Sequence, residues 1–195
     1  ITLKEGDTFT FTTEQIVGNQ ERVAVNYPGL INELKVGDQI LVNNGLVVCE
    51  VKKLQGNDAI CTVLSGGELS NNKSMNFPNK VLKGDYLSEQ DKEDLLFGIK
   101  NGVDFVAASF VSNKNDMRQL KDFLTENGGG DIDIIAKIEN QSGVDHIDEI
   151  CTIADGVMIA RGDLGVEIPY VNLPAIQKQL TKRCRLLGKR VITAT

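Results

Sequence analysis

The chain of 195 residues lacks tryptophan, has one histidine (His146), and contains four cysteines. No apolar run approaches the roughly 18 residues of a membrane-spanning helix, and no signal peptide is recognisable at the N-terminus. These absences favour a cytoplasmic protein with no membrane partner. The cysteines are widely separated and form no metal-type pairs, so reduced thiols are expected: Cys49, Cys61, Cys151 and Cys184.

Basic residues are also in deficit. Lysine and arginine number 21 against 27 acidic residues, which gives a formal net charge of −6. An acidic chain is a poor match for nucleic acid or an anionic membrane, although a local positive pocket for a nucleotide remains compatible with it. The apolar fraction of 41% and charged fraction of 25% are ordinary for a globular protein.

The residue pattern divides the chain near residue 80. Residues 1–80 contain several short β-type runs separated by turn residues, which predicts a small, β-rich, barrel-like domain. Asn44-Gly45 is the strongest hairpin indication, of the two-residue primed type. We predict a hinge at residues 81–87 and a second domain at residues 88–195.

The second domain alternates strand-like and helix-like patterns. Ser88 is a predicted N-cap, with Asp91 completing a capping box at the start of a helix. Strand–helix alternation predicts βαβ units and a parallel sheet. The four apolar, strand-like runs cover residues 103–110, 132–138, 155–161 and 190–195, and the helical patterns between them cover residues 114–124, 147–153 and 172–187.

Charged side chains at the exits of the buried runs need a reason, because a fully buried parallel strand is apolar along its length. In Lys137-Ile138-Glu139, the spacing of two places the ammonium and the carboxylate on the same side of the extended chain. Asp163, after the next run, would supply a second carboxylate. One lysine and two carboxylates at neighbouring strand ends predict a divalent metal site beside a phosphoryl group.

Four segments carry a family resemblance, in matching order and spacing. In one-letter code they are VAASF at 106–110, IAKIENQSGV at 135–144, ARGDLGVEIP at 160–169 and RVITAT at 190–195. Together they resemble the barrel strands and the active-site and metal segments of pyruvate kinase. The resemblance covers essentially the whole chain but only the middle of that enzyme. It implies an α/β fold: a partial parallel (β/α) barrel of about four β/α units, preceded by a small all-β, barrel-like lid domain.

The resemblance also implies a reaction and roles for particular residues. The reaction transfers the phosphoryl group of phosphoenolpyruvate to ADP, giving pyruvate and ATP, with Mg²⁺ or Mn²⁺ as cofactor. Lys137 and Thr195 would be catalytic, and Glu139 and Asp163 would ligate the metal. Ser109 would lie near a monovalent cation. The expected substrate-binding set is Lys137, Ala160, Gly162, Asp163 and Thr195, with the backbone at Gly162 and Asp163, at the start of a short helix, taking the substrate carboxylate.

By the same resemblance, residues 1–80 would close over the metal–nucleotide complex. The chain departs from the family at Val42-Asn43-Asn44-Gly45, where an aspartate is usual, so this turn brings less negative charge to the nucleotide. Potassium dependence is expected, with its ligands mostly outside these residues. We also expect a homotetrameric full-length enzyme, and little or no turnover from this internal fragment alone.

Three other interpretations remain open at this stage. Lys137 and Glu139 could form a structural ion pair with no role in chemistry. A metal-dependent lyase or aldolase could form an enolate at a similar Glu–Asp site on a related barrel. The chain could also be a non-catalytic module that binds a nucleotide or metal. The lysine two residues before Glu139 distinguishes the kinase from the lyase, since a carbon–carbon lyase has no phosphoryl group in transfer.

Overall fold

A computed structural model describes residues 1–78, 80 and 85–194. The chain divides into two compact units, Ile1–Gly84 and Asp85–Thr195. Residues 81–84 of the predicted hinge lie outside the described part of the chain, and Leu87 is buried in the core of the second unit.

The first unit is built around a six-stranded sheet with the order β3-β2-β6-β5-β4-β8, accompanied by an antiparallel pair of β1 and β7. The short helix α1 was not predicted. The elements are β1 (Thr2–Leu3), β2 (Thr8–Thr12), β3 (Arg22–Ala24), α1 (Leu30–Glu33), β4 (Gln39–Val42), β5 (Val47–Gln55), β6 (Asp58–Ser65), β7 (Gly67–Glu68) and β8 (Met75–Asn76).

Alternation of side chains explains the core of this unit. Residues of β5 and β6 alternate between buried and more exposed positions over most of each strand, as expected where one face of a sheet covers a core. Phe9 and Phe11 of β2 are fully buried, and their rings meet edge to face with centroids 5.3 Å apart. Burial of such apolar surface is the main force that holds the sheet closed over its core.

The hairpin between β4 and β5 agrees only in part with its prediction. Asn44 and Gly45 have φ values of 57° and 78°, as a primed turn requires. However, Asn43 also has a positive φ of 55°, and the last paired residues are Val42 and Val47. The connection is therefore four residues long, because Asn43 leaves the ladder before the turn begins.

The second unit contains a four-stranded parallel sheet with the order β12-β11-β10-β9, which curls as half of a barrel. The predicted α/β class with about four β/α units is confirmed. The elements are α2 (Glu89–Lys100), β9 (Phe105–Ala108), α3 (Lys114–Glu126), β10 (Asp133–Ile138), α4 (Gln141–Asp145), α5 (Ile147–Ile150), β11 (Gly156–Ala160), α6 (Arg161–Glu167), a 3-10 turn (Tyr170–Asn172), α7 (Leu173–Leu186) and β12 (Arg190–Ala194).

Local sequence accounts for most of these boundaries. Ser88 caps α2 in the predicted capping box with Asp91. In α3 the buried residues are Met117, Leu120 and Leu124, which recur at the helical spacing that faces a core. The predicted helix at 147–153 starts at the predicted residue but is shorter, since α5 ends at Ile150. The short helix α4, which precedes it and is separated from it at His146, was not predicted.

Two cysteines that are distant in sequence lie together in the second unit. The Sγ atoms of Cys151 and Cys184 are 4.0 Å apart, and both side chains are buried. All four thiols are free. None of the helices in the described residues is long and apolar enough to cross a membrane.

Candidate active site

The candidate site lies where the parallel strands of the second unit end. Lys137 is the penultimate residue of β10, Glu139 lies directly after the strand, and Ser109 follows the end of β9. Since Ala136 pairs with Ala108 across these parallel strands, the residues that follow meet at one edge of the sheet. This edge, at the carboxyl ends of the strands, is where α/β barrels place their chemistry.

Lys137 and Glu139 form the ion pair that their spacing suggested. Lys137 Nζ lies 2.8 Å from Glu139 Oε1 and donates a hydrogen bond of 2.9 Å to Ser109 Oγ. The lysine is partly exposed, with 23% of its side chain accessible, whereas the glutamate is 1% accessible. The ammonium therefore faces solvent from a fixed position, and the carboxylate is held beneath it.

Glu139 uses its two oxygens differently. Oε2 accepts a hydrogen bond of 2.5 Å from the backbone N–H of Phe110. Oε1 is buried and accepts no hydrogen bond of good geometry, so the nearby Lys137 ammonium compensates it by charge alone. A buried carboxylate oxygen whose lone pairs lack donors is well suited to a cation.

The strand end is fixed by a second set of hydrogen bonds that the sequence analysis did not identify. Asn140 caps α4: its Oδ1 accepts from Gly143 N–H at 2.7 Å, and its Nδ2 donates to Ser112 Oγ at 3.0 Å. Ser142 Oγ donates to the carbonyl oxygen of Ser112 at 2.9 Å. An asparagine between a strand and a helix is a common N-cap, and that signal could have predicted the role of Asn140.

Phe110 and Arg161 shape the backbone at this edge of the sheet. Phe110 has a φ of 53°, which is uncommon for a residue with a side chain, and the segment after β9 turns sharply there. Arg161, predicted as the end of a strand, begins α6 instead. Its Nε donates to the carbonyl oxygen of Ala194 at 2.7 Å, so its guanidinium ties α6 to β12.

Three of the remaining predicted site residues, Ala160, Gly162 and Asp163, lie at the end of β11, at the same edge of the sheet. Ala160 ends β11 and is buried, and Gly162 and Asp163 lie in the first turn of α6. Asp163 is partly exposed. Thr195 lies outside the described residues. The structure thus brings Lys137, Glu139 and Ser109 into contact and places Asp163 after the neighbouring strand.

The donor set fits one class of metal ion. Among the described residues, no group of three or more histidine, cysteine, aspartate or glutamate side chains is arranged to hold a metal. Magnesium commonly uses one or two carboxylates and completes its shell with water and substrate phosphate oxygens. The carboxylates of Glu139 and Asp163, which follow the neighbouring strands β10 and β11, are therefore the candidate ligands for magnesium or manganese.

Tyr86 also contacts this edge and was not predicted. Its hydroxyl donates a hydrogen bond of 2.6 Å to the carbonyl oxygen of Ser109. Burial, and then the negative charges of Asp116, Glu139 and Asp91, raise the pKa of Tyr86 well above its usual 10.0. The phenol therefore remains protonated over the whole physiological range and acts as a donor.

Comparisons with known proteins were made on the whole chain. The family model described as pyruvate kinase, barrel domain, matches residues 1–195. The pyruvate kinase of Clostridium perfringens is 47% identical over 194 residues, covering 99% of this chain and 41% of the relative. That of Geobacillus stearothermophilus is 46% identical, covering 100% of this chain and 34% of the relative.

A solved structure agrees in fold. The crystal structure of a pyruvate kinase from Cryptosporidium parvum matches with a TM-score of 0.89 and 35% identity, covering 100% of this chain and 41% of that one. The chain thus spans 34–41% of the length of these proteins.

Proposed function

The chain belongs to the pyruvate kinase family, and we propose that it carries the metal-binding and phosphoryl-transfer part of an enzyme that converts phosphoenolpyruvate and ADP into pyruvate and ATP. The observation that carries this proposal is the contact of Lys137 with Glu139 and Ser109 at the ends of β10 and β9. Glu139 Oε1 contacts the Lys137 ammonium at 2.8 Å but accepts no further hydrogen bond, which leaves it a lone pair for a cation.

Lys137 is the proposed electrostatic catalyst. Its ammonium is held by Glu139 and Ser109 and is partly open to solvent, so it can meet the oxygens of a transferring phosphoryl group without rearranging. Phosphoryl transfer depends mostly on positioning and charge neutralisation, and a preorganised positive charge supplies both. This role distinguishes the proposal from a metal-dependent lyase, whose reaction has no such group.

Glu139 and Asp163 are the proposed ligands of Mg²⁺ or Mn²⁺. A divalent cation bound there would offset negative charge on the phosphate and on the enolate oxygen. Glu139 is held by the Phe110 N–H through Oε2, which leaves Oε1 as the coordinating atom. Asp163 sits in the first turn of α6, so its position depends on the start of that helix.

The remaining roles rest on family membership. The backbone at Gly162 and Asp163, next to Ala160, would bind the substrate carboxylate, since a glycine allows an anion to approach the main chain closely. Thr195 would assist protonation of the enolate through a water relay. Ser109 remains the proposed neighbour of a potassium ion.

The first unit is proposed to act as a lid that excludes water from the site. Its Asn43-Asn44 turn offers no carboxylate, so any contact with a metal–nucleotide complex there would use neutral groups. A cytoplasmic, tetrameric full-length enzyme is likewise proposed from the family alone.

Manganese binding to the chain tests the assignment of the site. Mn²⁺ affinity can be measured by the electron paramagnetic resonance signal of the free ion. We expect Glu139→Gln to lose most of the affinity, and Glu149→Gln, which removes an exposed carboxylate from the same unit, to retain it. Equal binding by both variants would overturn the proposal.

Phosphoryl transfer tests the role of Lys137. In the polypeptide that carries this chain, Lys137→Ala should keep Mn²⁺ affinity and lose ATP formation from phosphoenolpyruvate by a factor of about 10² or more. If Lys137→Ala instead loses Mn²⁺ affinity but keeps the rate of ATP formation, the proposed role of Lys137 in phosphoryl transfer is contradicted. The exposed Lys178, on α7, offers the matched control Lys178→Ala, which should change neither quantity.

A further inference from the structure

Tyr86 is held by hydrogen bonds from both its backbone N–H and its side-chain hydroxyl. Its backbone N–H donates to Gln119 Oε1 of α3 at 3.0 Å, and its hydroxyl donates to the carbonyl oxygen of Ser109 at 2.6 Å. The ring is partly buried and packs against the core of the second unit. The hydroxyl is therefore presented from a rigid support, and its hydrogen bond joins segments 23 residues apart.

The peptide group that accepts this bond also serves the candidate site. The carbonyl of Ser109 and the N–H of Phe110 belong to one planar peptide unit, so fixing one end orients the other. That N–H donates to Glu139 Oε2 at 2.5 Å. The Ser109 hydroxyl accepts from Lys137 Nζ at 2.9 Å. The Ser109–Phe110 segment thus lies between the tyrosine and both charged residues: its peptide contacts Glu139, and its serine side chain contacts Lys137.

This peptide needs external support. Phe110 has a φ of 53°, a left-handed conformation that persists for a non-glycine residue only when its surroundings hold it. A hydrogen bond accepted by the Ser109 carbonyl also polarises the peptide, which strengthens the N–H that it offers to Glu139. The hydrogen bond from Tyr86 therefore supports the conformation of the Ser109–Phe110 peptide and also strengthens the hydrogen bond from Phe110 N–H to Glu139.

We propose that Tyr86 is a positioning residue for phosphoryl transfer: by holding the Ser109–Phe110 peptide, it sets the Glu139 carboxylate for the divalent cation and Lys137 for the phosphoryl group. The inference rests on the proposed function. Tyr86 itself touches neither substrate nor cation in this role.

The test uses Tyr86→Phe, which removes one oxygen atom and keeps the ring. Tyr27→Phe is the matched control, because it also removes a hydroxyl that donates a hydrogen bond, in this case to the Glu33 carboxylate in the first unit. The first readout is the Phe110 amide in a proton–nitrogen correlation spectrum of the 195-residue chain. We expect its proton signal to move upfield and its hydrogen exchange to become several-fold faster in Tyr86→Phe, with neither change in Tyr27→Phe.

The second readout is Mn²⁺ affinity. Loss of one hydrogen bond of ordinary strength corresponds to about a 2- to 10-fold change in an equilibrium constant, and we expect the dissociation constant of Tyr86→Phe to rise within that range. Gln119→Leu, which frees the tyrosine backbone and keeps the hydroxyl, should shift both readouts in the same direction by less. It also serves as the second variant if Tyr86→Phe folds poorly.

The outcomes separate this inference from the proposal beneath it. An unchanged Phe110 amide in Tyr86→Phe, or a moved amide with unchanged Mn²⁺ affinity, would overturn the role of Tyr86 while Glu139-dependent binding still stands. Absence of Glu139-dependent Mn²⁺ binding in the unmodified chain would instead overturn the proposed function. A moved amide together with weaker Mn²⁺ binding supports the inference.

Discussion

Replacing Lys137 with methionine should destabilise the second unit by more than the lost van der Waals contacts of the lysine would account for. Methionine keeps much of the aliphatic stem but removes the charge that faces Glu139 Oε1 at 2.8 Å. The glutamate is 1% accessible, and its other oxygen is already engaged by the Phe110 N–H. The substitution would therefore leave a buried carboxylate charge with no positive partner.

The expected cost follows from the burial of the two partners. Breaking a buried ion pair by removing one member typically costs about 3–5 kcal/mol. Because Lys137 is 23% accessible and water can approach the vacated space, we expect the lower end, about 3 kcal/mol. The double variant Lys137→Met/Glu139→Gln should cost only about 1 kcal/mol, since a neutral amide can still accept the Phe110 hydrogen bond.

Hydrogen exchange of the β10 amides provides the measurement. It reports the free energy of opening for the second unit separately from the first, and the chain has no tryptophan to serve as a fluorescent probe. Lys178→Met is the control, because it makes the same chemical change at an exposed position on α7 and should stay within about 0.5 kcal/mol of the unmodified chain.

Millimolar Mg²⁺ adds a second arm to this experiment. The cation should restore part of the stability of Lys137→Met by supplying the missing positive charge, and should have little effect on the double variant. The reasoning fails if Lys137→Met costs less than about 1 kcal/mol, or if the double variant is less stable than Lys137→Met. Either result would mean that the Glu139 charge is solvated in the folded chain.

Three further predictions concern other parts of the chain. Gly143→Ala should cost about 1–3 kcal/mol in thermal unfolding, because the added Cβ would lie 2.5 Å from a backbone carbonyl oxygen; a Tm unchanged within a degree would contradict this. Burial raises the pKa of Cys49 to about 11, and burial with the nearby Cys49 raises that of Cys61 to about 12, so both thiols should resist a disulfide reagent near about pH 8 until the chain is unfolded. Burial alone would raise the pKa of Asp58, but the hydrogen bonds with Arg22 and Thr12 and the positive charge of Arg22 together outweigh it and hold the pKa below its usual 3.8. This contribution to stability is therefore present above about pH 4 and disappears as the pH falls through the lowered value. Acid titrations monitored by circular dichroism should show a shallower loss in Asp58→Asn, and an identical slope in both chains would count against the pair.

Local sequence was sufficient for most strands and helices of the second unit and for the side of the chain on which Lys137 and Glu139 lie. The capping box at Ser88, the buried spacing of Met117, Leu120 and Leu124, and the apolar strand β10 each depend on residues within a few positions of one another. The pairing of Lys137 with Glu139 has the same origin, since a period of two is a property of any extended chain. The strand ends then place polar residues at one edge, because parallel strands must share a direction.

The tertiary structure alone decided which distant groups meet there. The contacts of Tyr86 with Ser109 and of Phe110 with Glu139 join residues 23 and 29 positions apart, and Cys151 reaches Cys184 across 33. No local pattern specifies such pairs, because each depends on how helices and loops pack on the finished sheet. The sequence thus predicts the residues of the proposed site, whereas packing determines which peptide contacts Glu139 and which phenol donates to that peptide.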